Sequence, residues 1–188
     1  MKTLLYATGN PGKVDSLQSV LGSEFHIDQI ELDLIEPQLD SVDEIARDKA
    51  RQAFSQTKKP VAVQDSGFVI PSLGGFPGPY TKYVLGTIGV ERILRLVGEE
   101  RYCFFHECLA YADETGVHLF QTHIPGSLTR TVQGPAKERE SSALWRVFVP
   151  TGQRKTISEM SDSERVHWRQ SGSTDHYGVQ LARWLSEE

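Results

Sequence analysis

The stretch PVAVQDSGFVIPSLGGFPGPYTKY, residues 60–83, carries the pattern from which the fold class is inferred. It begins with the β-branched, apolar run 61–63, which predicts a short buried strand. Asp65 follows this strand, and Ser66 and Gly67 come directly after it, so the pattern predicts a tight polar turn that presents one carboxylate. An Asx-type turn that merely caps a strand is the alternative interpretation.

The second half of the stretch predicts a loop with a rigid backbone. The loop contains Gly74-Gly75 and Pro77-Gly78-Pro79. Its prolines restrict the main-chain angles, and its glycines allow angles that other residues rarely adopt. Tyr80 and Lys82 follow at the end of this loop. The glycines and prolines by themselves indicate only a loop.

The N-terminus predicts a strand, a turn and a helix in direct succession. Residues 3–7 form an apolar run, and Asn10 is placed to cap a helix that begins at Pro11. Such a helix start is expected to present free backbone N–H groups and the positive end of the helix dipole, and Lys13 adds a charge. The unit suits a phosphate group, although strand-turn-helix units with a lysine are also common without one.

The rest of the chain predicts alternating strands and helices, interrupted by one long hairpin with the turn sequence DETG at 113–116. The further predicted strands cover residues 26–32, 102–112, 117–124, 127–132 and 146–149. The further predicted helices begin at the Ser41–Glu44 capping box, near Val90, at the Ser161–Glu164 capping box and at Asp175. We therefore expect an α/β fold in a single domain over residues 1–188.

The composition excludes several classes of protein. A formal net charge of -5 argues against nonspecific binding to nucleic acid, which depends on clustered Lys and Arg. No apolar run is long enough for a signal peptide or a membrane span. Cys103 and Cys108 fall on opposite faces of one predicted strand, and free thiols suit a reducing cytosol. We expect a cytoplasmic protein without a nucleic-acid or membrane partner.

Three motifs occur in an order and spacing that resemble one known family. They are TGNPGK at 8–13, QDSGF at 64–68 and LGGFPGPYTK at 73–82. Together they resemble the inosine triphosphate pyrophosphatase family, the Ham1-like enzymes that remove deaminated purine nucleotides, with a match that is strong to about residue 130. The resemblance implies an elongated mixed α/β structure with an active-site cleft between two lobes. It also implies a homodimer that uses Mg²⁺ to hydrolyse a nucleoside triphosphate to the monophosphate and pyrophosphate.

The resemblance implies roles for particular residues. Asp65 is expected to bind Mg²⁺ and to orient the attacking water, and Glu36 to supply the second carboxylate, with Asp40 as its alternative. Two carboxylates and phosphate oxygens satisfy Mg²⁺, which prefers oxygen ligands and retains water. Lys13 is expected to neutralise charge during the reaction. The residues implied to contact the triphosphate are Thr8, Gly9, Asn10, Lys13, Lys49 and Ser66.

The base-recognition part of the family pattern is altered. Relatives carry an aromatic-glycine-aromatic-aspartate-proline run where residues 142–146 read SALWR. Trp145 is expected to stack on the base from a neighbouring position, although core packing is the alternative for a tryptophan beside a strand. Gln64 stands before Asp65 where the family usually has an acidic residue, which weakens the local negative field.

The last third of the chain departs further from the family. Arg165 is expected to replace a substrate-binding lysine, and His176 to replace a histidine, with His167 as its alternative. The resemblance therefore implies a pyrophosphatase acting on deaminated or modified purine nucleotides such as (d)ITP and XTP. The same chemistry on another modified or a pyrimidine nucleotide is one alternative. A catalytically inactive nucleotide sensor is the other, and retention of Lys13 and Asp65 argues against it.

Overall fold

The computed structural model describes residues 2–135, 142–171 and 176–187, which form a mixed α/β fold of the class expected from the sequence. The strands are β1 Lys2–Ala7, β2 Phe25–Ile30, β3 Val61–Val69, β4 Pro77–Gly78, β5 Tyr102–Ala112, β6 Val117–Leu128 and β7 Phe148–Pro150. The α-helices are α1 Pro11–Leu21, α2 Val42–Thr57, α3 Thr81–Thr87, α4 Gly89–Leu96, α5 Asp162–Ser171 and α6 Tyr177–Glu187. Within these ranges, no helix has the length and apolar character needed to cross a membrane.

The strands form a seven-stranded mixed sheet in the order β2-β1-β3-β5-β6-β7, with β4 paired to β3. β1 runs parallel to β2 along its whole length and parallel to β3 at the pair Tyr6 and Ala62. Parallel neighbours require crossover connections, and α1 and α2 supply them. The β3–β4 and β6–β7 pairs are antiparallel.

The chain divides into two compact units. The first unit comprises residues 1–66, 107–122 and 172–188, and the second unit comprises residues 67–106 and 123–171. Strands β3, β5 and β6 contribute residues to both units. The predicted phosphate and metal residues all belong to the first unit, whereas Trp145 and Arg165 belong to the second.

The first unit contains two apolar clusters, one on each face of its part of the sheet. Ala62 belongs to the cluster formed with α1 and α6, whereas Val61 and Val63 belong to the cluster formed with α2. Neighbouring residues of a strand point to opposite faces, so Asp65 continues the α2 side and Gln64 continues the α1 side. Small side chains at Ala46, Ala50 and Ala53 form the packed stripe of α2.

The second unit has its own aromatic core. The ring of Phe68 lies edge-to-face against those of Phe105 and Phe148, with centroid distances of 4.8 and 5.9 Å. Helix α4 adds Ile93 and Leu94 to this core. These contacts explain why the amphipathic pattern near Val90 correctly predicts a helix.

The local signals for the starts of α1 and α2 and for the hairpin turn are confirmed. Asn10 caps α1 through its side chain, and the Ser41 side chain accepts a hydrogen bond from the Glu44 N–H at the start of α2. The hairpin turn closes through the Asp113 carboxylate, which accepts bonds from the backbone of Thr115 and Gly116. Each of these signals depends on contacts between residues close in sequence.

The predicted tight turn after Asp65 is wrong. Strand β3 continues through Ser66 and Gly67 to Val69, because its second half pairs with β4 at Phe68 and Val69. The Phe68 N–H also donates to the Thr81 hydroxyl at 2.8 Å. Asp65 therefore lies within a continuous strand.

The predicted elements near the C-terminus shift in position. Strand β6 extends to Leu128, and the residues after it form no separate strand up to residue 135. Residues Ala143–Arg146 form a 3-10 turn capped by Ser142, so β7 begins only at Phe148. The predicted start of the last helix at Asp175 lies outside the described residues. The described part of that helix begins at Tyr177.

Candidate active site

The turn between β1 and α1 is held by its own side chains. The Asn10 N–H donates to the Thr8 hydroxyl at 3.1 Å, and the Gly12 N–H donates to the Asn10 side-chain oxygen at 2.9 Å. The end of β2 adds two further bonds, in which Ile30 accepts from the Thr8 N–H and the Gln29 amide donates to the Thr8 carbonyl. The turn that contains the predicted phosphate residues is therefore fixed in shape.

The expected supply of free N–H groups at this helix start needs correction. The cap residue Asn10 accepts the Gly12 N–H through its side chain and the Lys13 N–H through its carbonyl, and Pro11 has no N–H. What the helix start provides is the positive end of its dipole and the Lys13 ammonium group. Gly9 is not required for space, because an added Cβ would lie 3.8 Å from the nearest Glu31 carboxylate oxygen.

Lys13 reaches from α1 to β3. Its ammonium group donates to the main-chain oxygen of Gln64 at 2.9 Å. Burial lowers the pKa of Lys13 below its usual value, and the negative charge of Asp65 is the main opposing influence. Lys13 is therefore a half-buried cation beside the candidate carboxylate.

Asp65 lies on β3 with a largely buried side chain. One of its oxygens accepts the Ser66 N–H at 2.9 Å. Burial raises the pKa of Asp65 above the usual carboxyl range, whereas the charges of Lys49 and Lys13 act in the opposite direction. A buried carboxylate of this kind gains stability from any further cation placed next to it.

Lys49 connects the two candidate metal ligands. Its ammonium nitrogen lies 3.2 Å from a Glu36 oxygen and 4.0 Å from an Asp65 oxygen. The Lys49 side chain is only 15% exposed, because it lies on the same face of α2 as the buried Ile45. Its aliphatic stem is therefore covered, while its ammonium group reaches the two carboxylates. Two carboxylates and two ammonium groups thus meet in the first unit.

The donor set fits a hard divalent cation. Glu36 and Asp65 offer only oxygen atoms, and one lysine lies within ion-pair range of both. Within residues 2–135, 142–171 and 176–187, no three His, Cys, Asp or Glu side chains converge as a metal cage. Mg²⁺ typically takes one or two protein carboxylates and fills its other positions with water and phosphate oxygens, so these residues suit it.

The proposed base-side residues of the second unit have local partners. Trp145 packs on the core of that unit, and the Arg169 guanidinium lies 5.9 Å from the centre of its ring. Arg165 pairs with Asp162 one turn earlier on α5. Their roles toward a base stay predictions.

His176 stands at the start of α6 in the first unit. Its ring accepts the Gly178 N–H at 3.1 Å, and its carbonyl accepts the N–H groups of Val179 and Gln180. The His176 ring also lies 4.0 Å from that of Tyr177. His176 therefore acts as a helix cap, and its role in substrate binding stays a prediction.

The sequence was compared with known protein families. The sequence matches the Ham1 family over residues 4–172. The chain belongs to the Ham1 family. This family match extends across both units and includes every predicted site residue of the described chain except His176.

Two dITP/XTP pyrophosphatases are similar to this chain over most of their length. A dITP/XTP pyrophosphatase of Hyperthermus butylicus is 31% identical over 99% of this chain and 96% of the relative. A dITP/XTP pyrophosphatase of Methanopyrus kandleri is 36% identical over 86% of each protein. The structure of a HAM1 protein from Coxiella burnetii shares the fold, with a TM-score of 0.81, 21% identity and complete coverage of both chains.

In this Ham1 family chain, the structure shows contacts of two residues that could not be predicted from the sequence. Gln64 turns its side chain to the α1 side and accepts a 2.8 Å hydrogen bond from the Tyr6 hydroxyl. The negative charge of Glu107 on β5 adds to the effect of burial in raising the pKa of Tyr6, and it opposes the larger effect of burial that lowers the pKa of Lys13. No local motif marks Glu107, so sequence reasoning missed this third negative charge near Lys13.

Proposed function

We propose that this chain is a Mg²⁺-dependent pyrophosphatase that hydrolyses (d)ITP and XTP to the nucleoside monophosphate and pyrophosphate. The observation that carries the proposal is the meeting of Lys13, Lys49, Glu36 and Asp65 beside the start of α1. Pyrophosphate release from a triphosphate requires that negative charge on the phosphate oxygens be neutralised and that water be held in line. The four charged groups supply what both tasks need.

Each residue has a proposed role that follows from its position. Glu36 and Asp65 hold Mg²⁺, which neutralises phosphate charge when bound. Asp65, fixed by the Ser66 N–H, orients and deprotonates the attacking water. Lys13 and Lys49 hold the triphosphate oxygens.

The remaining residues are assigned to substrate binding. Thr8, Gly9 and Asn10 form the shaped turn at the start of α1 and take part in phosphate binding. Ser66 contacts the substrate next to Asp65. Trp145, Arg165 and His176 act on the base side.

The preference for deaminated purines is supported by the names of the relatives, both of which are dITP/XTP pyrophosphatases. The run SALWR at 142–146 argues for a changed base preference, because Leu144 is buried and Trp145 packs on the core. The second candidate function is therefore the same hydrolysis on another base. Lost hydrogen-bond partners in a pocket penalise the wrong substrate strongly, so the two candidates differ measurably.

The test is pyrophosphate release with Mg²⁺ from the inosine, xanthosine, guanosine, adenosine, cytidine and uridine triphosphates and their deoxy forms. Release that is fastest from ITP, dITP and XTP supports the main proposal. Release that is fastest from another base replaces it with the second candidate. If no triphosphate yields pyrophosphate while nucleotide still binds in the presence of Mg²⁺, the chain is a binding protein and the proposal is wrong.

The catalytic assignment has its own test. Asp65→Asn should abolish turnover while circular dichroism and thermal unfolding show an intact fold. Asp28→Asn, on exposed strand surface, is the matched control and should retain activity. An Asp65→Asn protein with most of its activity would refute the assignment of the base.

We further propose a cytoplasmic homodimer. Two buried free cysteines, Cys103 and Cys108, support a reducing compartment. The family resemblance supports the dimer. Light scattering on the purified chain tests the dimer, and a mass equal to one chain of 21.1 kDa would refute it.

A further inference from the structure

The loop that carries Glu36 lies between β2 and α2 and has no regular secondary structure over residues 31–40. Leu32 and Leu34 pack against the α2 cluster, so burial anchors the first part of the loop. That anchoring ends at Ile35, whose side chain is 77% exposed. The Glu36 side chain is also largely exposed, at 64%. Apolar packing therefore does not explain how Glu36 is held.

A side-chain amide on α2 holds the backbone at this point. Gln52 accepts the Ile35 N–H through Oε1 at 2.9 Å and donates from Nε2 to the Ile35 carbonyl at 2.8 Å. Both main-chain hydrogen-bonding groups of Ile35 are thus bound by one amide, in the manner of a neighbouring strand. Because Ile35 precedes Glu36, these two bonds fix the main chain from which the carboxylate projects.

The orientation of this amide is itself fixed. Gln52 Nε2 also donates to the Asp48 carboxylate at 2.6 Å, one helical turn earlier on α2. An ionised carboxylate only accepts hydrogen bonds, so Asp48 requires the nitrogen of the amide on its side. Both N–H bonds and the oxygen of the amide are consequently in use.

Gln52 is the centre of a polar row on one face of α2. Lys49 contacts the Glu36 carboxylate at 3.2 Å, and Gln56 donates to the Asp33 carbonyl at 3.1 Å. Residues three and four apart lie on the same face of a helix, so Lys49, Gln52 and Gln56 meet the loop in sequence. Lys49 binds the side chain of Glu36, whereas Gln52 and Gln56 bind the main chain before it.

We propose that Gln52 is a positioning residue that holds Glu36 in place for Mg²⁺. This inference rests on the proposed function, since it assigns Glu36 to the metal. A ligand that is already in place binds its ion without the entropic cost of ordering the loop. Loss of such a supporting contact typically weakens metal binding by about 10- to 100-fold.

The first experiment tests the two hydrogen bonds between the Gln52 amide and the Ile35 main chain, and it requires neither substrate nor activity. Gln52→Leu keeps the size of the side chain but removes all three hydrogen bonds. Amide hydrogen exchange at Ile35, followed by NMR, should become at least about tenfold faster in this variant, because its N–H loses its acceptor. Arg51→Ala, at an exposed position beside Gln52 on the same helix, is the matched control and should leave the Ile35 exchange rate unchanged. Unchanged exchange in Gln52→Leu would overturn the proposal.

The second experiment measures the consequence for the metal. Titration of the free protein with Mg²⁺, read from the amide signals of residues 35 and 36, should give an apparent Kd about tenfold or more higher in Gln52→Leu. In pyrophosphate release, the Mg²⁺ concentration for half-maximal rate should rise by a similar factor, while the rate at saturating Mg²⁺ stays near that of the parent. Gln56→Ala should have a smaller effect because its bond lies further from Glu36. Faster exchange at Ile35 with an unchanged Mg²⁺ requirement would also overturn the proposal.

Glu36→Gln separates this inference from the proposed function. If Glu36→Gln binds Mg²⁺ as tightly as the parent, Glu36 is not a metal ligand and both the metal assignment and the role of Gln52 are wrong. If Glu36→Gln weakens Mg²⁺ binding and Gln52→Leu does not, only the positioning role fails. If both weaken Mg²⁺ binding in a protein that releases no pyrophosphate, the proposed reaction fails and the positioning role of Gln52 stands.

Discussion

The ammonium nitrogen of Lys13 on α1 lies 2.9 Å from the main-chain oxygen of Gln64, the residue before Asp65 on β3. This bond places a cation next to the candidate base by means of a main-chain acceptor. The hydrogen bond of Lys13 at this position therefore does not depend on the Gln64 side chain. An ammonium group has three N–H donors, so two remain for other acceptors such as phosphate oxygens.

Lys13→Met should lower the rate of pyrophosphate release at saturating substrate by about 10²- to 10³-fold, because a positioned charge at the phosphate is lost. The free energy of unfolding should stay the same or increase, because burial already disfavours the Lys13 charge. Steady-state kinetics and urea denaturation measure the two effects. Lys59→Met, at an exposed position after α2, is the control. A variant with normal turnover, or one that is inactive only because it unfolds, would contradict the assigned role.

The buried pair of Tyr6 and Gln64 gives a prediction about stability. The Tyr6 hydroxyl donates to Gln64 Oε1 at 2.8 Å, and both side chains are almost fully buried. Tyr6→Phe leaves the amide oxygen without this donor and should lower the free energy of unfolding by about 1–3 kcal/mol. Removing the acceptor as well, with Gln64→Leu, should recover part of that loss. A double-mutant cycle in urea measures the coupling, and strictly additive effects would contradict it.

Adding a side chain at Gly126 on β6 should cause a steric clash in the second unit. A Cβ at this position would overlap with the Val149 carbonyl oxygen and with the Phe148 ring, opposite Pro150 of β7. Gly126→Ala should therefore lower the free energy of unfolding by about 1–3 kcal/mol through overpacking. Gly98→Ala is the matched control, since nothing lies within 4 Å of its added Cβ. Equal thermal stability of the two variants would show that β7 moves aside without cost.

The capping box of α5 predicts a dependence of stability on pH. The Lys155 ammonium group and the Ser161 N–H both donate to the Glu164 carboxylate at 2.7 Å, and they lower its pKa to about 2. Because this pKa is lower in the folded chain than the ordinary 4.5, the contribution of Glu164 is complete above pH 4.5 and is lost as the pH falls toward about 2.

The stability difference between the parent and Glu164→Gln should accordingly be largest near neutral pH and shrink through this acid range. Chemical denaturation at a series of pH values measures it. Glu114→Gln, in the exposed hairpin turn, serves as the control and should run parallel to the parent. A Glu164→Gln difference that stays constant down to pH 2 would refute the role of this carboxylate.

Elements defined by short-range contacts could be predicted from the sequence. The Asn10-Pro11 start of α1 and the Ser161–Glu164 capping box are observed as expected, because each bond joins residues of the same turn. The hairpin strand β5 has the predicted ends for the same reason, since apolar alternation and the turn sequence are both local.

Elements defined by distant contacts could not be predicted. The continuation of β3 past Asp65 depends on pairing with Pro77 and Gly78, and a short sequence window does not contain that pairing. The position of Glu107 near Lys13 depends on the strand order of the sheet. The hydrogen bonds between Gln52 and the Ile35 main chain likewise join a helix face to a distant loop. The sequence around a helical glutamine does not indicate which residue it will bind.

Cys103 and Cys108 lie on one strand but in the cores of different units, Cys103 in the second and Cys108 in the first. Burial raises the pKa of the Cys103 thiol to about 12 and that of Cys108 above its usual value, so both thiols are protected from alkylating reagents in the folded chain. Each unit therefore contains one natural cysteine that becomes reactive when that unit unfolds. Peptide mapping after pulsed alkylation in increasing urea would assign an unfolding midpoint to each unit without an engineered label.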